Sequence, residues 1–188
     1  MKSKKTSAKS NGSVSRFSQP NTLHHLFEET LKDIYNAEQQ LVEALPEVAE
    51  AADNEELKDA INEHLEQTKK QAERIEKLFT RLGIEKESVT CEAMQGLIEE
   101  GKEVIRNYEP GPVRDAALII AAQKVEHYEI ATYGSLCELA DVLGMTKTCE
   151  ILGRSLDEEE EADLLLTEIA QEVNDEACEL SEEEVGTY

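Results

Sequence analysis

The chain has 188 residues, with 42 Asp and Glu against 19 Lys and Arg, and a formal net charge of −23. Such acidity repels nucleic acid and anionic membrane surfaces but tolerates cations. Aromatic residues make up 4%, Trp is absent, and Gly and Pro are scarce, so long helices rich in Ala, Leu, Glu and Lys are favoured over strands.

Residues 1–20 differ from the rest. They carry Lys2, Lys4, Lys5, Lys9 and Arg16, many Ser and no acid, a composition that predicts a disordered basic tail. Such an arm offers the one route to nucleic acid or an anionic surface, although composition favours a plain solubilising leader. No apolar h-region opens the chain and no apolar run is long enough to span a bilayer, so a cytoplasmic location is the default expectation.

The first helix is expected to start at Asn21 or Thr22, both competent N-caps. Its apolar positions are Leu26, Phe27, Leu31, Ile34, Leu41, Leu45 and Val48, with Pro46 inside the pattern as a kink or a local opening of the ladder. Asp53, followed three residues later by Glu56, has capping-box spacing. The second helix is expected to run to Leu82 before Gly83, with a core stripe of Leu57, Ile61, Leu65, Thr68, Ala72, Ile75, Phe79 and Leu82. A short third helix spans about 91–107, and Tyr108 to Pro112 form a turn. The fourth covers about 113–143, apolar at Ala117, Leu118, Ile120, Ala121, Val125, Tyr133, Leu136 and Leu139, and stops at Gly144. The fifth covers about 146–173, and an acidic, frayed tail is expected over 176–188.

This order predicts an all-α, ferritin-like four-helix bundle over residues 21–175: two helical hairpins joined by a crossover containing a short extra helix. The halves echo one another. Ile34 to Glu38 can be laid over Val125 to Glu129, and Leu65-Glu66-Gln67 over Leu156-Asp157-Glu158.

The informative acids are those that interrupt an apolar stripe. Glu38 shares a face with Ile34, Leu41 and Leu45, and Glu129 with Val125, Tyr133 and Leu136. Glu126 lies one turn before Glu129, and Glu159 and Asp163 fall among Leu152, Leu156, Leu166 and Ile169. In the second helix Glu66 flanks the stripe while His64 falls closer to it. A buried, unpaired carboxylate costs several kcal/mol, so such a cluster persists only with cations or with some acids protonated. Acids from four helices, with Glu126-x-x-Glu129 at i, i+3, have the spacing of a carboxylate-bridged di-iron or di-manganese site. The competing reading is an inward-leaning Glu paired with Lys69 or Lys124. Cys91, Cys137, Cys149 and Cys178 show no CxxC spacing, which excludes a zinc ribbon or a thioredoxin-type motif.

The segments LKDIYNAEQQLVEALPEVAEAA, HLEQTKKQAERIEKLF, CEAMQGLIEEGKEVI, RDAALIIAAQKVEHYEIATYGSL and LDEEEEADLLLTEIA resemble the YciF/YciE-like family of bacterial stress proteins over about residues 22–175. The resemblance implies a rubrerythrin-related bundle, a homodimer and a dinuclear Fe or Mn centre. Residue by residue it implies Glu38, Glu66, Glu126, Glu129 and Glu159 as metal ligands, with Asp163 as a further candidate. Lys69 stands where some members carry His, leaving an all-carboxylate site or one completed by Asp163 or His64. The function implied is a stress-response protein whose metal pair reacts with dioxygen or peroxide. The alternative is a non-enzymatic dimerisation or scaffold protein with a structural or vestigial metal site.

Overall fold

The computed structural model describes the backbone of residues 20–87 and 89–185 and the side chains as far as residue 179. It contains helices α1 (Leu23–Ala51), α2 (Glu55–Leu82), α3 (Glu92–Asn107), α4 (Pro112–Val142) and α5 (Thr146–Val185), with no strand among the described residues. The basic tail expected over residues 1–20 lies outside the described residues but for Pro20.

The helix ends follow local chemistry. Thr22 caps α1 by accepting from the His25 N–H at 3.2 Å. The α2 cap is Asn54, whose side chain accepts from Leu57 N–H at 2.9 Å, so the capping box expected from Asp53 does not form. Asp53 is used elsewhere: its carboxylate accepts from Gly111 N–H at 2.6 Å and from Arg114 at 3.0 Å. In return Asp115, buried in the first turn of α4, accepts from the Asp53 and Asn54 amides at 2.9 and 2.8 Å. The α1–α2 turn and the start of α4 are therefore tied by reciprocal charge-assisted bonds. Gly83 and Gly144 end α2 and α4 at φ +68° and +72°, left-handed backbone that favours glycine. Helix α1 runs unbroken through Pro46, which faces solvent where the freed carbonyl can be hydrated.

Two hairpins, α1–α2 and α4–α5, pack with α1 against α4 and α2 against α5, while α3 lies across α1 and α4. The core between them holds Phe27, Leu31, Ile34, Leu41, Leu57, Ile75, Leu118, Tyr133 and Leu136, all nearly inaccessible. Each such side chain contributes about 1.5–3 kcal/mol by leaving water.

Three expectations are corrected. Leu26 and Ile120, expected on core stripes, are 51% and 59% exposed, and Ile119 faces inward in place of Ile120. Helix α2 buries Leu57, Ile61, Thr68, Ile75 and Phe79 as expected, but adds His64, Gln71 and Leu78 to that face, while Leu65, Ala72 and Leu82 sit half-buried at its edge. Helix α5 continues to Val185 rather than ending at Val173. Val173 is its last buried residue among those whose side chains are described; from Asn174 to Val185 the chain is acidic but contains no Gly or Pro, so local propensity carries the ladder on.

Candidate metal centre

Midway along the bundle the core turns polar. Glu38 (α1), Glu126 and Glu129 (α4) and Glu159 (α5) are 0–2% exposed, and His64 (α2) is 7% exposed. Among them His64, Glu126, Glu129 and Glu159 each offer a ligand atom within 4.8 Å of the others, an arrangement that could hold a metal ion. His64 Nε2 lies 3.5 Å from Glu126 and 4.0 Å from Glu129, and its Nδ1 lies 3.9 Å from Glu159. Glu38 flanks this quartet and accepts a hydrogen bond from the Tyr133 hydroxyl.

A shell of neutral and cationic groups surrounds the acids. The buried Gln71 amide donates to Glu159 and, at 3.1 Å, to Glu158. Arg74 grips Glu158 with two bonds of 2.9 Å and donates to Ser155 at 2.6 Å. The guanidinium is thus committed to Glu158; it acts on Glu38 and Glu159 only through space, and among the described residues no Lys or Arg pairs directly with the inner acids.

Burial pushes the carboxyls of Glu38, Glu126 and Glu129 well above the ordinary range, and the neighbouring Glu159 charge adds to the rise. Burial also raises Glu159, to about 7, against hydrogen bonds from Glu126 and Gln71 that pull the other way. His64 is lowered by burial to about 4, which keeps its imidazole neutral and a competent nitrogen donor at neutral pH.

The donor set fits a cation. Both oxygens of Glu129, one each of Glu38, Glu126 and Glu159, and both ring nitrogens of His64 are buried without a hydrogen-bond partner. Buried polar atoms are almost always satisfied, so this many orphans at one place suit a group that accepts lone pairs from the carboxylates and from one nitrogen of His64, whose other nitrogen carries the proton.

Of the residues expected as ligands, the structure does not bring Glu66 or Asp163 into this cluster. The Glu66 side chain is 61% exposed and forms a 2.6 Å ion pair with Lys69, which lowers its pKa. Asp163 lies at the rim, 24% exposed, 3.4 Å from His127 and within reach of Gln123. The reason lies in the internal echo. Extending the overlay of Leu65-Glu66-Gln67 on Leu156-Asp157-Glu158 by one residue sets Thr68 against Glu159. Thr68 is fully buried and donates to the His64 carbonyl. Helix α2 thus carries a hydroxyl where α5 carries an acid, and its inward-facing ligand type is His64, a turn earlier.

Similarity to known proteins matches this arrangement of helices. Residues 22–179 match the model of a domain of unknown function, DUF892. Protein YciF from Escherichia coli is 47% identical over 150 residues, covering 79% of this chain and 90% of that protein. The crystal structure of YciF, described as a stress protein, superimposes with a TM-score of 0.80 at 46% identity, covering 82% of this chain and 98% of that one. YcfI from Rhodopseudomonas palustris, described provisionally as a structural protein, does so with a TM-score of 0.75 at 41% identity, covering 82% and 97%.

Proposed function

This chain belongs to the DUF892 family as a YciF-like protein, and from that premise we propose that it binds two divalent iron or manganese ions in its buried acid cluster and serves in the stress response. The observation that carries the reading is the set of orphaned buried donors on Glu38, Glu126, Glu129, Glu159 and His64. Four carboxylates and a neutral imidazole balance two divalent cations, and one ion would leave two acids charged or protonated. Such ions, once bound, supply a change of oxidation state within reach of dioxygen or peroxide. The chain's own part is to hold and orient the donors. Gln71 and Tyr133 each fix one carboxylate by a hydrogen bond, and Arg74 keeps Glu158 turned away from the inner acids.

The test is elemental analysis of protein purified without chelators, with two ions per chain expected and Glu129→Ala reducing that content. A chain that stays empty in added Fe(II) and Mn(II) refutes the reading.

A second reading is favoured by α2, which contributes no carboxylate, and by the description given to the R. palustris neighbour. Here the ions are structural and the bundle is a scaffold: stripping the metal lowers the melting temperature while peroxide consumption equals that of buffer. Under either reading we take the assembly to be a homodimer, which light scattering near twice 21.0 kDa would support.

A further inference from the structure

Beside the acid cluster a cavity of about 160 Å³ opens between α1, α2, α4 and α5. Its walls are mainly apolar, formed by Ala60, Ile61, Ala122, Ala162, Leu165 and Leu166, with Leu45 behind them and the Gln67 amide the one neutral polar side chain. Its floor is made by His64 and Glu126, which are the two cluster members with measurable exposure, at 7% and 2%. Both ring nitrogens of His64 and one oxygen of Glu126 are buried without a partner. Two exposed acids, Glu63 and Glu161, frame the mouth.

We infer that this cavity is a binding site for a small neutral molecule with a hydrocarbon body and a single oxygen-donor head, and that organic hydroperoxides are its substrate class. The size matches: a cavity of roughly 150 Å³ lined by apolar side chains takes up benzene or xenon. The apolar walls hold the body by excluding water. The polar floor faces the head toward the cluster, and the acidic mouth disfavours carboxylates and other anions.

The hydroperoxide assignment rests on the metal reading above. In its reaction the O–O bond breaks and two ferrous ions each give up one electron. Two protons are taken up, one completing the alcohol and the other completing water. The products are one alcohol, one water and two ferric ions.

The experiment has two arms on the full-length chain. In the first, metal-stripped protein is titrated with xenon and followed by methyl NMR. Saturable shifts at Leu165, Leu166 and Ile61 are expected, lost in Ala162→Leu and in Ala60→Leu, two separate ways of filling the cavity. Absence of saturable shifts overturns the site. In the second, Fe(II)-loaded protein is mixed with hydrogen peroxide or tert-butyl hydroperoxide and ferric absorbance is followed. Ala162→Leu is expected to shift the preference at least tenfold toward hydrogen peroxide. An unchanged preference overturns the substrate class. Xenon shifts with no oxidation by either peroxide remove the redox reading and the hydroperoxide assignment together.

Discussion

A carboxylic acid in the core reports its own environment through pH. Glu159 keeps its proton in the folded chain up to about pH 7, while the unfolded chain releases it near 4.5. Across that interval the folded state binds more protons, so the contribution of Glu159 is complete below 4.5 and is lost as pH rises through 7. Glu38, Glu126 and Glu129 act in the same direction. His64 opposes them: its pKa falls from 6.5 to about 4, so it costs stability as pH drops through that range. Four acids outweigh one imidazole, with an upper limit of about 1.4 kcal/mol per group per pH unit. The melting temperature of chelator-treated protein is therefore expected to fall between pH 5 and 8. In excess Mn(II) the trend reverses, because metal and protons compete for the same oxygens. A melting temperature that rises with pH in the stripped protein contradicts this account. The inward position of Glu38, Glu129 and Glu159 was legible in the sequence because each breaks an apolar stripe, whereas Glu126 stood out only by its i, i+3 spacing to Glu129. That of His64 was legible only in part, since a lone imidazole near a stripe carries no spacing signal.

At the scale of helices, the ends marked by Thr22, Gly83, Pro112 and Gly144 were legible, since each acts through its own local chemistry, a capping hydroxyl or a constrained or permissive backbone. The face that α2 presents was legible in part, through Leu57, Ile61, Thr68, Ile75 and Phe79. Leu65 and Ala72 look like core by hydrophobicity, but neighbouring acids on α4 and α5 set a demand for neutral donors that His64 and Gln71 meet. No periodicity within α2 encodes that demand. Nor did local pattern disclose Asp115, whose role is to receive two amides from a turn about sixty residues earlier. Asp115→Ala removes two charge-assisted bonds and strands two amides, a loss of about 2–4 kcal/mol. A denaturant midpoint lowered correspondingly, with Asp115→Asn intermediate, is the expected outcome. A change below about 0.5 kcal/mol, the usual scale for surface substitutions, argues against the tie.

Taken whole, the molecule is two similar hairpins with unequal endowments. Glu38 and Glu129 correspond in the overlay, but Glu159 faces Thr68 and Glu126 faces Tyr35. The plan of two hairpins and a crossover was readable from helix order, whereas the imbalance needed the register of α2 against α5. Thr68→Glu restores the missing acid and tests the correspondence. In the stripped protein it adds another buried carboxyl and should lower stability by several kcal/mol. With Fe(II) or Mn(II) present most of that loss should be recovered, since the new oxygen reaches the ions. Calorimetry with and without metal separates the two, and an equal loss in both conditions places position 68 outside the centre.

That imbalance also bears on traffic in and out of the core. The hairpin α4–α5 keeps Glu126, Glu129 and Glu159 together, and α2 is pinned over them by Arg74 on Glu158 as well as by Gln71 on Glu159. With that clasp closed, the thin place in the wall is where His64 and Glu126 keep a trace of exposure. An ion arriving at the nest of acids would meet those two side chains first.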